Sequence, residues 1–244
     1  VCLGIMSFID DLKSIPPPIR LIIQFTIIFF ALPLLEVNDI FFSNIVKLNL
    51  ITTLYIWVYL INIINFTDGS DGFLATNSLS FFMGTVAFTI ITNNINIIFY
   101  ISLSFIPILL SYLYFNKPQA KIFMGDSGSI IIGFSIAFIF FNLIKLGYWD
   151  VALGLLSYTI LDCSLTIFNK IRKGHLPWAR LFDYYFLIPI MKDKNNQKKV
   201  FLLNLVCNSI ILFITIFQIF LDLKILFILS FTVSLIFVNI YKRV

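Results

Sequence analysis

The sequence contains few charged residues and few cysteines. Only 12% of its 244 residues are Asp, Glu, Lys or Arg, whereas 60% are apolar and stand in long blocks. A chain of this composition has lipid rather than water as its main surroundings. Its three cysteines, Cys2, Cys163 and Cys207, lie in apolar stretches without CxxC spacing, so the sequence indicates neither a disulfide framework nor a zinc site. We expect them to be packing residues.

Regular alternation of apolar and polar residues is also lacking, which argues against transmembrane strands. Because every backbone polar group in lipid needs a partner within the protein, the apolar blocks are predicted to be helices. The fold class is therefore all-α, a polytopic transmembrane helix bundle that forms a single membrane domain over residues 1–244 without internal repeats. The eight predicted spans are residues 20–36, 47–65, 73–92, 96–115, 127–145, 149–170, 198–220 and 224–241.

The chain starts with Val rather than Met, and no signal peptide is visible in its first residues. The apolar run at residues 1–9 is too short to cross a bilayer, which takes about 20 residues. We therefore expect a fragment that begins at the end of a helix, with the amino-terminal spans missing.

The basic residues divide unevenly between the two sides of the predicted membrane. Of the 17 Lys and Arg residues, all except Lys47, Lys145 and Lys224 fall on the segments of one side. The positive-inside rule assigns the richer side to the cytoplasm, and the longest polar segment, at about residues 174–199, lies there. The net charge of +5 thus marks topology rather than a nucleic-acid-binding surface.

Acidic and carboxamide residues gather on three of the cytoplasmic segments. They are Asp10, Asp11, Asn62, Asn65, Asp68, Asp71 and Asp126. The four from Asn62 to Asp71 recur every three residues and would follow one face of a continuing helix. Asp126 lies in FMGDSGS, where Gly125 precedes it and Ser127 is predicted to cap the helix that follows.

So many like charges on one side repel each other unless a cation neutralises them. Hard oxygen donors, with one histidine in the chain, favour magnesium or manganese over zinc. A helix start such as Ser127-Gly128 also offers backbone N–H groups to a phosphate. Together these features predict phosphoryl transfer at the membrane surface. Each acid taken alone also fits a helix cap or a solvated turn, and that alternative stays open residue by residue.

Three polar strings follow one another on these segments, GIMSFIDDLKSIPPPIRLIIQ, NIINFTDGSDG and KIFMGDSGS. They resemble the polyprenyl-phosphate N-acetylhexosamine-1-phosphate transferases, also called glycosyltransferase family 4, over about residues 3–171. The resemblance implies that a polyprenyl phosphate, typically undecaprenyl phosphate in bacteria, attacks the β-phosphorus of a UDP-N-acetylhexosamine and releases UMP. It also implies an enzyme of the bacterial plasma membrane whose active site faces the cytoplasm.

The resemblance implies roles for the residues nearest the metal and the lipid. Asp126 matches the family's magnesium ligand, with Asn65 as a second contributor. Asp10 and Asp11 match an aspartate pair near the lipid phosphate, where the role is either metal binding or removal of a proton. A phosphate monoester, with a second pKa of about 6, is largely a dianion at neutral pH, so a base is not required.

The resemblance also implies contacts on the nucleotide side. Asp68 and Asp71 match nucleotide-side acids, and Phe123 matches an aromatic residue that lies against uracil. Gly125, which precedes Asp126 in the same motif, is also expected to be a ligand-binding residue. For Phe123, packing is the alternative interpretation.

The late cytoplasmic segment, RKGHLPWARLFDYYF, departs from the basic, His-containing motif that the family usually carries there. It has one histidine, His175, with Arg180 and Asp183 further along. His175 and Arg180 either grip a diphosphate or anchor the segment at the membrane surface, and both alternatives stay open. Asp162 falls inside a predicted span, which points either to a function or to a bond with a neighbouring helix.

Two other classes of function compete with the enzyme. An ion-coupled transporter would carry its ionisable residues near the middle of the membrane, often in repeated halves, whereas these acids lie at helix ends. An inactive paralogue or membrane scaffold would account for the altered late segment but not for the retained acids. The sugar, the oligomeric state and the glycan pathway, among peptidoglycan, lipopolysaccharide O-antigen, teichoic acid and capsule, are not fixed by the sequence.

Overall fold

The computed structural model describes residues 1–35, 40–41, 45–176 and 183–244, and these ranges contain helices and turns but no strand. The α-helices in chain order are α1 (Cys2–Leu12), α2 (Pro17–Ala31), α3 (Val46–Phe66), α4 (Phe73–Ile91), α5 (Ile97–Asn116), α6 (Gly125–Lys145), α7 (Trp149–Leu155), α8 (Ser157–Arg172), α9 (Ile188–Lys192), α10 (Gln197–Leu221) and α11 (Phe227–Arg243). Short 3-10 helices lie at Leu32–Leu35, Tyr185–Leu187, Lys194–Asn196 and Lys224–Leu226.

These helices confirm the predicted transmembrane architecture. Within the described ranges, seven helical segments are long and apolar enough to cross a membrane, and α7 with α8 makes an eighth if the pair counts as one span. The predicted boundaries agree with the observed ones to within a few residues. The protein is an integral, multi-pass membrane protein.

The sixth predicted span, residues 149–170, is wrong in one respect, because it is not a continuous helix. α7 and α8 meet at a bend of 68°. Leu156 lies between them with φ −98° and ψ 4°, outside the helical region, two residues after Gly154. Glycine is a poor helix former, so a long apolar helix breaks readily at such a point. Hydropathy detects the apolar block but not the break.

The described residues form two compact units, one made of residues 1–68 and 124–152 and the other of residues 69–123 and 153–244. The single membrane domain expected from the sequence stays a prediction. In the first unit, α6 packs against both α1 and α3, and α2 packs on α3. Gly133 permits a close approach of two helices, since a Cβ at this position would lie 3.0 Å from the Cα atom of Ile61. This packing brings the first turn of α6 beside the end of α1.

In the second unit, α4 packs against α5 and α10, and α11 packs against α8 and α10. Buried carboxamides join these helices: Asn208 donates to the side-chain oxygen of Asn77 at 2.7 Å, and Asn204 donates to the carbonyl oxygen of Phe73 at 3.2 Å. Phe73 also stacks on Phe186, with 4.1 Å between ring centroids. Polar groups in a membrane need partners within the protein, and this network supplies them.

Candidate functional site

The carboxylate of Asp11, a residue of α1, caps the amino-terminal end of α6. Its Oδ1 accepts the backbone N–H of Asp126 at 3.1 Å, and its Oδ2 accepts the backbone N–H of Ser127 at 3.2 Å. The Ser127 hydroxyl also donates to Asp11. The first N–H groups of a helix have no partner within the helix, and a carboxylate stabilises both these groups and the helix dipole. Asp11 therefore fixes where Asp126 stands.

One expectation about this region is corrected by the structure. α6 begins at Gly125, within two residues of the predicted start, but no side chain of its own segment caps it. Ser127 pairs with Asp11 instead of capping the helix, because α6 has already begun at Gly125 and Ser127 lies within its first turn. The sequence indicates a helix start here, but not that its cap comes from 115 residues away.

Gly125 has a backbone conformation that residues with a side chain rarely adopt. Its φ is +69°, in the left-handed region, and a Cβ at this position would lie 3.0 Å from Asp11 Oδ2. A non-glycine residue there meets both backbone strain and a carboxylate. Glycine is thus what allows the chain to turn into α6 while Asp11 approaches its first turn.

Replacement of Gly125 by alanine is expected to destabilise the protein by about 1–2 kcal/mol through the positive φ, and to lower any activity of this site about tenfold by displacing Asp11. Thermal unfolding measures the first effect, and the initial rate of the reaction proposed for the site measures the second. Gly147→Ala is the matched control, because φ is +86° there and nothing lies within 4 Å of an added Cβ. It should show the strain alone. Equal activities of the two variants would contradict a functional role for the Asp11 contact.

Arg20 bridges two acids of the site. Its Nη1 lies 2.8 Å from Asp10 Oδ2 and 2.6 Å from Asp126 Oδ2. Asp10 is also held by the backbone N–H of Ile15, at 2.6 Å. Sequence reasoning treated Arg20 only as a marker of the cytoplasmic side. The signal that it has a place in the site is its position as the first residue of a predicted span, because this puts it near the same membrane depth as the Asp10–Asp11 pair.

The four residues from Asn62 to Asp71 do not share one helical face, because the helix ends within the pattern, close to the predicted end of the span at residue 65. α3 ends at Phe66, and Asp68 lies in the turn after it. Asn62 instead joins two helices, with its Nδ2 donating to Gln24 Oε1 at 2.7 Å. Asn65 lies at the site, since its side-chain oxygen accepts a hydrogen bond from the Ser129 hydroxyl of α6 at 2.5 Å.

Asp68 is a partly buried acid whose pKa is raised in the folded protein. Its burial, followed by the charges of Asp126 and Asp11, raises the pKa of Asp68 to about 7, although a hydrogen bond from the backbone N–H of Gly125 acts in the other direction. Like charges raise a carboxyl pKa in this way when nothing cationic compensates them. The acids that the sequence suggested to be neighbours, Asp11, Asp68 and Asp126, therefore share one electrostatic environment in the first unit.

This set of oxygens is compatible with a hard divalent cation. Among the residues that the structure describes, no group of three or more His, Cys, Asp or Glu side chains is placed so that it could hold a metal ion by itself. Magnesium typically takes only one or two carboxylates and fills its shell with water and phosphate oxygens. Asp126, with Asn65 and Asp68 close to the same helix start, offers an open site of this kind.

The remaining candidates lie in the second unit. Asp71 Oδ2 accepts the backbone N–H groups of Gln119 and Ala120, at 3.1 and 3.2 Å. Asn116 also holds this segment, because its side chain accepts the N–H of Gly72 at 2.8 Å and donates to the carbonyl oxygen of Ile122. Sequence reasoning missed Asn116, which carries no motif signal. These bonds hold the segment that ends at Phe123, a residue that is 73% exposed and is therefore not packed in the interior of the described part of the protein.

Asp162, a residue of α8, binds the carboxyl-terminal end of the late segment. Its Oδ1 accepts the backbone N–H of Tyr185, and its Oδ2 accepts the Tyr158 hydroxyl, both at 3.0 Å. Asp162 therefore anchors the carboxyl-terminal end of the late segment, which favours the second of its two open interpretations. His175 is exposed. Arg180 lies outside the described residues, so its predicted role stays a prediction.

In the first unit of this membrane protein, acids from three segments of the chain therefore lie around the start of α6. The chain belongs to glycosyl transferase family 4, whose family model matches residues 1–144. This range includes Asp10, Asp11, Asn65, Asp68 and Asp126. The late segment lies beyond it.

Curated relatives are similar to parts of the chain. A phospho-N-acetylmuramoyl-pentapeptide-transferase of Leuconostoc citreum is 40% identical over 97 residues, which are 38% of this chain and 29% of that protein. The same enzyme name belongs to a Wolbachia pipientis relative, 43% identical over 74 residues, or 30% and 22% of the two chains. A probable undecaprenyl-phosphate N-acetylglucosaminyl 1-phosphate transferase of Bacillus subtilis is 32% identical over 125 residues, or 50% and 34%. The chain thus matches only a minor part of each relative's length.

Proposed function

We propose that the protein transfers the N-acetylhexosamine 1-phosphate group of a UDP-sugar to a polyprenyl phosphate and releases UMP. The observation that carries the proposal is the gathering of Asp11, Asp68 and Asp126 around the first turn of α6. Membership of glycosyl transferase family 4 supports it, as do the names of the relatives, which are transferases of phospho-sugars.

In the proposed reaction, an oxygen of the acceptor phosphate forms a bond to the β-phosphorus of the UDP-sugar. The bond from this phosphorus to the oxygen that bridges the two phosphates breaks, and its electron pair leaves with UMP. The product is a sugar joined to the polyprenyl chain through a diphosphate. Since the acceptor, with a second pKa of about 6, is mostly a dianion at neutral pH, the chain needs no base to start the reaction.

Each of the site residues of the first unit would have its own role in this reaction. A bound Mg²⁺ or Mn²⁺ would neutralise the charge on the reacting phosphates. Asp126 would hold this ion, with Asn65 and Asp68 beside it. Asp11 keeps Asp126 in position through the backbone of α6, and Asp10 orients Arg20.

We further propose that Asp71, Phe123, His175 and Arg180 serve the nucleotide and its diphosphate, and that the site faces the cytoplasm of a bacterial cell. The exposure of Phe123 supports the first point, and the unequal distribution of basic residues supports the second. The relatives' names differ in the sugar, N-acetylmuramoyl-pentapeptide in one and N-acetylglucosaminyl in another. Donor choice is therefore a matter for experiment.

Membranes that contain the protein, expressed from its complete reading frame, are expected to release UMP from one UDP-N-acetylhexosamine only when polyprenyl phosphate and Mg²⁺ are both present. A panel of UDP-N-acetylglucosamine, UDP-N-acetylgalactosamine and UDP-N-acetylmuramoyl-pentapeptide identifies the donor, and lipid extraction identifies the product. Membranes without the protein are the control. No UMP release from any donor, or ion-coupled solute uptake by the purified protein in liposomes, would contradict the proposal.

A further inference from the structure

Arg20 holds its two acids unequally. The Asp10 side chain is 4% exposed and is also fixed by the N–H of Ile15, whereas the Asp126 side chain is 29% exposed. The contact between Arg20 and Asp10 is therefore the sheltered one, and the contact with Asp126 faces solvent. A ligand that arrives from water reaches the Asp126 carboxylate first.

The position of Arg20 is set by the helix that carries it. One turn further along α2, the fully buried Gln24 accepts a hydrogen bond from Asn62 of α3 at 2.7 Å. Residues four apart lie on the same side of a helix, so this bond also fixes the side of α2 from which Arg20 reaches the acids. The contact between α2 and α3 thus sets the position of Arg20 beside the acids, and the ion pairs do not depend only on the reach of a long, flexible side chain.

We propose that Arg20 is the resident counter-ion of Asp126, and that a divalent cation binds by taking this carboxylate from it. The inference rests on the proposed function, because it concerns the same metal site. In the metal-free protein, Arg20 offsets the repulsion between Asp126 and the neighbouring Asp10 and Asp11. When a cation binds Asp126, Arg20 keeps Asp10 and gives up one charge-assisted hydrogen bond.

This exchange weakens the metal site in a useful way. The free energy of releasing Arg20 is subtracted from the free energy of metal binding, so the protein alone holds the cation loosely. Phosphate oxygens of the substrate complete the shell of a magnesium ion. A cation that is bound firmly only with its substrate can also depart with the product.

Removal of the competing charge should strengthen binding of the metal alone. Free Mn²⁺ gives an electron paramagnetic resonance signal that disappears on binding, so a titration of the detergent-purified protein yields Kd without substrate. Arg20→Gln is expected to bind Mn²⁺ about tenfold more tightly than the parent, which is the change expected for one charge-assisted hydrogen bond. Arg20→Lys should bind with intermediate affinity, because the ammonium is more strongly hydrated and competes less well.

Lys13→Gln is the matched control, since it removes the same charge from an exposed residue of the same segment that makes no ion pair within 4.0 Å to the described residues. Its Kd should change less than about twofold. An unchanged or weaker Mn²⁺ affinity in both Arg20 variants would overturn the proposal, as would an equal gain in Lys13→Gln, which would show a general charge effect. If Arg20→Gln does not fold, Arg20→Lys alone decides the matter.

The two proposals fail in different ways. If the parent and all the variants leave the Mn²⁺ signal unchanged, the protein has no metal site of its own and both the metal part of the proposed function and the exchange are wrong. If the parent binds Mn²⁺ and releases UMP but the Arg20 variants bind no more tightly, only the exchange is wrong.

Discussion

Asp126→Asn is expected to lower UMP release about a thousandfold or more. The substitution keeps the size and one acceptor oxygen of the side chain but removes the charge with which Asp126 would hold a divalent cation. Metal ions contribute several kcal/mol of charge stabilisation to such reactions, and each 1.36 kcal/mol corresponds to a factor of ten in rate. Initial rates at saturating donor, acceptor and Mg²⁺ provide the measurement.

The fold should survive this change. Asp11 holds the start of α6 through backbone N–H groups, which an asparagine at position 126 retains. Circular dichroism and the thermal midpoint in a chelator are therefore expected to stay close to those of the parent. Asp222→Asn is the matched control, because it makes the same substitution at a turn with φ +54°, a backbone conformation that asparagine accepts. It should keep full activity, and near-parental turnover by Asp126→Asn would remove Asp126 from the metal site.

The sequence predicted the spans because the membrane imposes one rule on all of them. Lipid requires long apolar helices, and hydropathy detects these without reference to tertiary contacts. The break at Leu156 escaped this reasoning because it depends on local backbone conformation, which does not change the mean hydropathy of residues 149–170. The sequence also drew attention to Asp11, Asp68 and Asp126, which the structure brings together, since carboxylates at the ends of apolar blocks are few.

The arrangement of the acids was not predictable from spacing. Asp11 looked like one more acid of the site, but it caps a helix that begins 114 residues later. Arg20 looked like a topology marker, but it contacts an acid 106 residues away. Both roles depend on how α1, α2 and α6 pack, and a pattern within one segment carries no information about partners so distant in sequence.

Asp68→Asn is expected to stabilise the metal-free protein while it lowers transfer. Asp68 is partly buried beside two acids of the same sign, so its ionised form opposes folding at neutral pH. Asparagine removes that charge and keeps an acceptor for the N–H of Gly125. We expect a gain of about 2 kcal/mol in the free energy of unfolding at pH 8, allowing for partial solvent screening. Such opposite effects on stability and function are common at active sites.

The pH dependence of this gain has a definite sign. In the unfolded chain Asp68 titrates near its ordinary pKa of 3.8, whereas in the folded protein its pKa is about 7. Between these values the folded protein binds a proton that the unfolded chain lacks, so the contribution of Asp68 to stability falls as the pH rises. The advantage of Asp68→Asn should therefore be small at pH 4, grow between pH 4 and 7, and stay constant above pH 7.

Thermal unfolding in a chelator at pH 4.5, 6 and 8 measures this difference, with Asp222→Asn as the reference for the same substitution outside the cluster. Addition of Mn²⁺ supplies the decisive comparison, because a bound cation favours ionised acids. The parent should then gain more stability than Asp68→Asn at pH 8, and the advantage of the variant should shrink or reverse. A gain that is equal at pH 4.5 and 8, or that Mn²⁺ leaves unchanged, would show that Asp68 carries no unfavourable charge for a cation to relieve.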